Sequence, residues 1–292
     1  MTNIGFIGAG VMGAPMIANL VSAGHSVRGF ARSAASRERI AAAGAAVATA
    51  ADDCLESDVL ISMLPDSPDV AAVYLGERGL ARSVSPQQIV VDMSTVTAET
   101  AIAVHDAVGA AGGSALDAPV SGGEQAAVEG SLSIMVGGEP DVIERVRPLL
   151  EAMGSAITHV GPPGSGQLTK AANQLIVATN IAALAEAVVL LESSGIDVGA
   201  ALTAIGGGLA GSTVLERKRA AILAGTYRPG FRAALHDKDL GIVAAAARRE
   251  GIALPVTAVV SQLMAALLAR GDGELDHLAL LKLARELNGR AG

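Results

Sequence analysis

A lysine at the start of a long apolar stretch is the residue with the clearest chemical potential. Lys170 ends the segment 164–170 (GSGQLTK), directly after the helix-breaking sequence 161–164 (GPPG). Partial burial there would disfavour the ammonium form and lower the pKa of Lys170 toward neutrality. Such a lysine can protonate a carbonyl oxygen as hydride arrives, or take the proton back in the reverse direction. A lone lysine is more often a surface charge, and that alternative stays open at this point.

Polar groups that suit a small carboxylate lie in two places along the chain. Asn173 and Gln174 follow Lys170 by about one helical turn, so their side chains lie on or near the same face. The turn 121–123 (SGG) can aim a hydroxyl and successive N–H groups at one anion, although this sequence is also common in flexible loops. We therefore expect a small substrate that carries a carboxylate.

A glycine-rich turn follows the first apolar run of the chain. Residues 8–13 (GAGVMG) match the pattern G-x-G-x-x-G between a strand and a helix. Gly8 permits the tight turn, Gly10 lets the backbone approach a pyrophosphate, and Gly13 allows close helix–strand packing. The helix then offers free N–H groups and a positive dipole end to the phosphates. The turn predicts a dinucleotide site with contacts from Gly8, Gly10, Val11, Met12 and Gly13, against the alternative of an ordinary βα turn.

The end of the second strand indicates which dinucleotide binds. NAD-preferring sites carry Asp or Glu about 20 residues past the glycines, but this chain has no acidic residue before Glu38. It has Arg32 and Ser33, which suit a 2′-phosphate. We therefore predict a preference for NADP(H), with NAD(H) possible if Arg32 is only a solvated charge. Ligands of open α/β sheets bind at the carboxyl ends of strands, where we expect further contacts from Met63, Leu64, Pro65 and Thr95.

The elements that position these residues change character along the chain. Short apolar runs alternate with Ala-rich helical stretches in the first half, which predicts βαβ units and a mainly parallel sheet. The predicted strands are 4–7, 26–30, 59–63, 89–92, 114–117, 132–136 and 157–160. The predicted helices in the second half are 165–194, 198–205, 213–223, 235–250, 255–269 and 276–287. We predict an α/β domain over residues 1–162, then an all-helical domain over 163–292, joined by a long helix at the junction.

Composition excludes several classes of function. The net charge of −8 and the scarcity of aromatic residues (three Phe, two Tyr, no Trp) oppose nucleic-acid binding. The single cysteine, Cys54, excludes an intramolecular disulfide and a multi-cysteine metal site, and we expect no metal. A reducing cytoplasm fits this cysteine usage, and no secretory leader is expected from residues 1–7. The apolar segment 171–191 contains Asn, Gln and Glu, so we expect a buried core helix and no membrane contact.

Four segments together resemble the 3-hydroxyisobutyrate dehydrogenase (β-hydroxyacid dehydrogenase) family. They are 6–13 (FIGAGVMG), 117–123 (DAPVSGG), 164–174 (GSGQLTKAANQ) and 236–240 (HDKDL), in the order of the family. The resemblance implies a Rossmann domain, a helical domain, and Lys170 as general acid or base. It also implies a cofactor contact from Lys238 and substrate contacts from Ser121, Gly122, Gly123, Asn173, Gln174 and Phe231.

Further segments resemble the branch of this family that reduces tartronate semialdehyde to glycerate. They are 121–124 (SGGE), 172–174 (ANQ), 207–215 (GGLAGSTVL) and 229–232 (PGFR). Many relatives carry Asn four residues after the lysine, where this chain has Gln174, so the substrate amide is Asn173 or Gln174. Imine reductases share the scaffold but usually replace the lysine, so Lys170 counts against that chemistry. Oxidation of 3-hydroxyisobutyrate, broader reduction of semialdehydes and glyoxylate, and a non-catalytic dinucleotide-binding module remain alternatives. The apolar helical half predicts a homodimer or homotetramer.

Overall fold

Short apolar runs form nine strands in the first part of the chain. The computed structural model describes residues 1–290, and its chain divides into two compact units, Met1–Lys170 and a second that begins at Ala171. The sequence predicts every strand except β3 and β7, whose two residues are too few to show a pattern. The strands are β1 Asn3–Ile7, β2 Ser26–Phe30, β3 Ala46–Val47, β4 Val59–Ser62, β5 Ile89–Asp92, β6 Ser114–Asp117, β7 Val120–Ser121, β8 Leu132–Gly137 and β9 Gly154–Gly161.

These strands form one sheet with the order β3-β2-β1-β4-β5-β6-β8-β7, and β9 pairs with β8. Strands β1 to β6 pair in parallel, so the prediction of a mainly parallel sheet is confirmed. Strand β8 is the exception, because it runs antiparallel to β6 and β7. The register aligns the carboxyl ends of β1, β4, β5 and β6 along one edge of the sheet. Ligands of open α/β folds bind at this edge.

Helices complete the first unit, and its core lies in two apolar clusters. Alternate strand residues divide between the clusters, with Ile4, Phe6 and Ile61 in one and Ile7 and Leu60 in the other. Side chains alternate between the faces of a strand, so the clusters lie on opposite faces of the sheet. The helices are α1 Gly13–Ser22, α2 Ala34–Ala42, α3 Ser67–Tyr74, α4 Ala98–Ala110, α5 Gly123–Glu129 and α6 Pro140–Met153, with 3₁₀ helices at Ala51–Leu55 and Leu80–Ser83.

The second unit is helical throughout its described elements, which confirms the predicted change of class. Helix α7, Ser165–Ser193, begins in the first unit and continues into the second. Side-chain oxygens of Asp197 and Ser212 cap the starts of α8 and α9, and Gly225 and Gly251 end α9 and α10 in the left-handed conformation. The remaining elements are α8 Val198–Gly206, α9 Thr213–Ala224, α10 Ala233–Glu250, α11 Pro255–Ala269, a 3₁₀ helix at His277–Ala279 and α12 Leu280–Leu287.

Helix α7 passes through the core of the second unit. Its length and composition would allow it to cross a membrane, and 39% of its most apolar window is buried in the protein. Ala178, Ile181, Ala185 and Val188 are buried at intervals of three to four residues and belong to the apolar cluster of this unit. One face of segment 171–191 therefore lies in the core as predicted, whereas its other faces carry exposed apolar side chains such as Ile176 (60%) and Leu190 (67%).

Candidate active site

The glycine-rich turn has the geometry that a pyrophosphate requires. The backbone N–H of Gly8 donates to the carbonyl oxygen of Phe30 (2.9 Å), and its φ of +100° lies in the region that favours glycine. A Cβ at Gly13 would collide with the carbonyl oxygen of Gly8, whereas a Cβ at Gly10 would meet open space. Within residues 1–290 no side chain caps α1, and its first turn has no acidic residue. The positive end of this helix is therefore open to a phosphate, beside the predicted contacts Val11 and Met12.

The loop after β2 presents an arginine beside an aspartate. The Nη2 atom of Arg32 lies 2.8 Å from Oδ1 of Asp69, and the side chains are 80% and 25% exposed. An exposed pair of this kind contributes little stability, and one N–H of a guanidinium that has five takes part in it. Ser33 caps α2, since its Oγ accepts from the N–H of Ser36 (3.1 Å). The hydroxyl hydrogen of Ser33 and the other N–H groups of Arg32 suit a 2′-phosphate.

Hydrogen bonds join the loops that follow β4 and β5. Ser94 Oγ accepts from the backbone N–H of Leu64 (2.8 Å) and donates to Oδ1 of Asp92 (2.6 Å). Ser62 donates to the same carboxylate oxygen (2.6 Å), and Asp92 is 2% exposed. The structure thus brings together, at the carboxyl edge of the sheet, the predicted cofactor contacts Met63, Leu64, Pro65 and Thr95.

A buried carboxylate at the end of β6 holds the start of α7. Asp117 accepts hydrogen bonds from the backbone N–H of Gly164 (Oδ1, 2.8 Å) and of Gln167 (Oδ2, 2.9 Å). Burial raises the pKa of Asp117 to about 6, although these two hydrogen bonds act in the opposite direction and Asp92 adds to the rise. The helix that carries Lys170 is therefore fastened to the sheet at its first turn.

The predicted carboxylate-binding turn follows this aspartate. Ser121 ends β7, opposite Ser133 of β8, and Gly123 begins α5. Gly122 and Gly123 have φ of +138° and +70°, where side chains are strained. A Cβ at Gly122 would also lie 2.5 Å from the Cβ of Ala126. The backbone of this turn therefore depends on its two glycines, and its role in substrate binding stays a prediction.

Lys170 is buried, with 6% of the residue exposed. It lies in α7, three residues after Gln167, so the two side chains emerge from neighbouring turns of the same helix face. The predicted lowering of the pKa of Lys170 depends on this burial. Its catalytic role stays a prediction.

In the second unit, hydrogen bonds connect the predicted site residues Asn173, Gln174 and Lys238. The connection runs through Asp239, which the sequence analysis did not select as a site residue. Nδ2 of Asn173 donates to Oε1 of Gln174 (2.9 Å), and Nε2 of Gln174 donates to Oδ2 of Asp239 (2.5 Å). Oδ1 of Asp239 pairs with Nζ of Lys238 (2.8 Å). An ionised carboxylate only accepts, so it directs the amide of Gln174 toward itself and Oε1 toward Asn173. Gln174 is 5% exposed and Asn173 is half-buried, which favours Asn173 as the amide that meets a ligand.

Phe231 lies against a pair of buried histidines. Its ring centroid is 5.5 Å from those of His236 and His277, whose Nδ1 atoms lie 2.9 Å apart. Burial, followed by the proximity of His236, lowers the pKa of His277 well below its ordinary value. Asp276 accepts from the backbone N–H of Phe231 (3.1 Å) and pairs with Lys218 (2.7 Å). Phe231 is thereby held by its backbone and by its ring.

Sequence reasoning missed the residues that hold the site together. Gln167, Asp117 and Asp239 lie inside or beside the quoted motifs, but their roles depend on partners far along the chain. The spacing of three residues between Gln167 and Lys170 was the one local signal available. Among residues 1–290 no group of three or more His, Cys, Asp or Glu side chains could hold a metal ion.

Comparison with known proteins supplies the family. Residues 3–161 match the model described as the NAD binding domain of 6-phosphogluconate dehydrogenase. Residues 164–284 match the model described as NAD-binding of NADP-dependent 3-hydroxyisobutyrate dehydrogenase.

Full-length relatives agree with these matches. The chain is 41% identical to 2-hydroxy-3-oxopropionate reductase of Escherichia coli, over 96% of both chains. It is 36% identical to NAD-dependent L-serine dehydrogenase of Pseudomonas aeruginosa, over 97% of this chain and 98% of that one. The structure of 3-hydroxyisobutyrate dehydrogenase of Mycobacterium tuberculosis with L-serine superposes with a TM-score of 0.88 at 35% identity, over 98% of this chain and 99% of that one. The chain therefore belongs to the 3-hydroxyisobutyrate dehydrogenase family of NAD(P)-dependent 3-hydroxyacid dehydrogenases.

Proposed function

We propose that this protein reduces tartronate semialdehyde (2-hydroxy-3-oxopropionate) to glycerate, with NADPH as its preferred reductant. Membership of the family establishes an NAD(P)-dependent oxidoreductase that acts on CH–OH donors. The observation that carries the proposal further is the buried Lys170, on a helix fastened by Asp117 to the sheet that bears the glycine-rich turn.

The chemistry of the reduction divides among the residues already described. When bound, the reduced nicotinamide supplies a hydride for the aldehyde carbon. Lys170 gives its proton to the aldehyde oxygen, so that the carbonyl becomes an alcohol. The turn of Ser121, Gly122 and Gly123 holds the substrate carboxylate, and Asn173 orients the hydroxyl. Fixing the acid in this way places the carbonyl within reach of both transfers.

The choice of substrate rests on similarity and on the residues of the second unit. The E. coli relative at 41% identity carries the name of this activity. Segments 207–215 and 229–232 of the second unit resemble this branch, as do segments 121–124 and 172–174. Oxidation of 3-hydroxyisobutyrate is the second candidate, since the M. tuberculosis enzyme of that name has the same fold at 35% identity.

The cofactor preference rests on the loop after β2. Arg32 and Ser33 offer a cation and a hydroxyl, and this loop has no carboxylate of its own to accept from ribose hydroxyls. Arg37 holds the loop in place, because its Nη1 donates to the carbonyl oxygens of Arg32 (2.7 Å) and Ala31 (3.3 Å). A 2′-phosphate therefore meets a preformed loop. Asp69 beside Arg32 is the group that would moderate the preference.

The decisive experiment is a substrate panel with both cofactors. We expect the highest kcat/KM for tartronate semialdehyde with NADPH, among tartronate semialdehyde, glyoxylate, succinic semialdehyde and methylmalonate semialdehyde. Oxidation of L-serine and of 3-hydroxyisobutyrate tests the reverse direction. A higher kcat/KM for methylmalonate semialdehyde would favour the second candidate, and a clear preference for NADH would overturn the cofactor assignment.

We also propose a cytoplasmic homodimer or homotetramer. The second unit exposes several large apolar side chains, among them Ile176 (60%), Leu190 (67%) and Val259 (62%). Exposed apolar residues on one unit suit burial against another subunit. Sedimentation analysis of the purified protein measures the assembly directly, and a monomer at micromolar concentration would overturn it.

A further inference from the structure

We propose that Gln167 is a positioning residue that fixes the loop carrying Thr95 relative to Lys170. The inference deepens the proposed function and rests on it, because it takes Lys170 as the proton donor and Thr95 as a contact of the cofactor. Gln167 acts through these two residues and touches neither substrate nor cofactor in this proposal.

The amide of Gln167 holds both sides of Thr95. Its Nε2 donates to the carbonyl oxygen of Ser94 (2.9 Å), and its Oε1 accepts from the backbone N–H of Val96 (3.0 Å). Gln167 is 1% exposed, so no bulk water competes for these groups. Thr95 lies between the two held peptide groups and cannot slide along the loop without breaking one of them.

The backbone of Gln167 is fixed as firmly as its side chain. Its N–H donates to Oδ2 of Asp117 (2.9 Å), and the N–H of Gly164 donates to Oδ1 (2.8 Å). The preceding residue, Gly166, packs so closely that a Cβ would lie 2.6 Å from the carbonyl oxygen of Asp117 and 2.5 Å from that of Met135. The first turn of α7 therefore has no room to shift toward the sheet.

This attachment determines where Lys170 lies relative to the loop. Three residues advance a helix by about 4.5 Å, so a displacement of Gln167 moves Lys170 with it. Proton transfer and hydride transfer require both reacting groups in place together, and a misplacement of about 1 Å can reduce the rate by about 100-fold. At this side-chain length an amide supplies one donor and one acceptor at every pH, whereas an ionised carboxylate supplies only acceptors, and a buried group without a partner is costly.

A purely structural amide elsewhere in the first unit provides the matched comparison. Gln88 is 2% exposed, and its Nε2 donates to the carbonyl oxygens of Leu55 (3.0 Å) and Ser57 (2.8 Å). Its Oε1 accepts from the N–H of Ser85 (3.4 Å). It lies outside the predicted site, so its loss should affect stability and leave chemistry unchanged.

The test compares Gln167→Glu with Gln88→Glu at several pH values, each relative to the unmodified protein. We expect Gln167→Glu to lower kcat about tenfold at pH 8, with KM within about threefold, because a carboxylate cannot donate to Ser94. At lower pH the introduced acid becomes protonated and donates again, so the loss of kcat should shrink. Gln88→Glu should lower the melting temperature with a similar pH dependence and keep kcat within about twofold.

Gln167→Met and Gln88→Met form a second pair in case the introduced acid prevents folding. We expect Gln167→Met to lose kcat to the same extent at every pH, while Gln88→Met keeps it. A kcat within about twofold of the unmodified protein in the Gln167 variants would overturn the proposal. An equal loss of kcat in the Gln88 variants would overturn it as well, since the loss would then follow stability. The assay uses whichever aldehyde of the panel the unmodified protein reduces fastest, so failure of tartronate semialdehyde as substrate is a separate result.

Discussion

The two units bury their charged groups in different ways. In the first unit, the carboxylate of Asp117 takes its hydrogen bonds from backbone N–H groups. In the second unit, Asp239 and Asp276 pair with the ammonium groups of Lys238 and Lys218, and Asp276 accepts from backbone N–H groups as well. The pKa values follow this difference. Burial raises the pKa of Asp117 to about 6, whereas at Asp276 burial is outweighed by His277, by the ammonium group of Lys218 and by the N–H of Leu278, which together lower the pKa.

The two kinds of hydrogen-bond partner suit a buried carboxylate to two different structural roles. Backbone N–H groups are fixed in direction, so a carboxylate that binds them fastens one element of structure to another. A carboxylate paired with lysine instead balances charge and orients side chains, as Asp239 does for Gln174. The first unit therefore holds a helix at a set position, and the second holds an ordered row of side chains.

The largest effect is expected at Lys170, which lies on the helix whose first turn binds Asp117. Lys170→Ala removes the proposed proton donor and should lower kcat by at least about 100-fold, since a positioned acid contributes about 100- to 10,000-fold. Titration of NADPH should show that the variant still binds cofactor. Lys282→Ala, which removes a lysine paired with Asp272 (2.7 Å), is the matched control and should keep kcat. Retained activity in Lys170→Ala would refute its role.

The pairing of Asp239 with Lys238 in the second unit provides the next test. Asp239→Asn removes the buried carboxylate that pairs with Lys238, and breaking a buried pair of this kind costs about 3 kcal/mol or more. Urea unfolding should show this loss, and kcat/KM should fall because Lys238, a predicted cofactor contact, loses its pairing with this carboxylate. Asp272→Asn removes the more exposed pair with Lys282 and should cost at most about 1 kcal/mol. Equal losses of unfolding free energy in Asp239→Asn and Asp272→Asn would contradict the distinction between the buried pair and the more exposed pair.

The buried carboxyl group of Asp117 predicts a specific pH dependence of the free energy of unfolding. The pKa of Asp117 is about 6 in the folded protein, whereas its ordinary value is 3.8. At a pH between these two values, Asp117 holds a proton in the folded protein but has released it in the unfolded chain. The contribution of Asp117 to the free energy of unfolding is thus full below about pH 4 and falls by about 3 kcal/mol as the pH rises past 6. Asp117→Asn should lack this dependence.

Urea unfolding of both proteins from about pH 4 to about pH 7 measures the difference directly. Asp141→Asn, at an exposed position of α6, should leave the pH dependence of the unmodified protein unchanged. A constant difference between Asp117→Asn and the unmodified protein over this range would mean that Asp117 is not shifted by burial.

The smallest effect is expected at the exposed edge of the first unit. Arg32→Ala should lower kcat/KM with NADPH about tenfold, because it removes the proposed charge-assisted hydrogen bond to the 2′-phosphate. With NADH the same variant should differ little from the unmodified protein. Asp69→Asn removes the competing carboxylate and should raise kcat/KM with NADPH. Equal losses with both cofactors in Arg32→Ala would show that Arg32 serves the loop and not the phosphate.

Local patterns in the sequence predicted the longer elements of the structure and several candidate site residues. Alternating apolar residues and turn glycines predicted the longer strands and the glycine-rich turn, because these signals act within a few residues. The breaker at 161–164 located the start of α7 and with it Lys170. The sequence also indicated the family through motifs in their order along the chain.

Only the tertiary structure decided which residues hold these parts together. Asp117 meets the start of α7 across 47 and 50 residues of chain, and Gln167 reaches the carbonyl oxygen of Ser94 across 73. Gln174 and Asp239 lie 65 residues apart and form one hydrogen bond. Such partners depend on strand order and helix packing, which no local window of sequence contains. The sequence by itself named candidate reacting groups, and the fold supplied the buried carboxylates and amides that bind the segments carrying them.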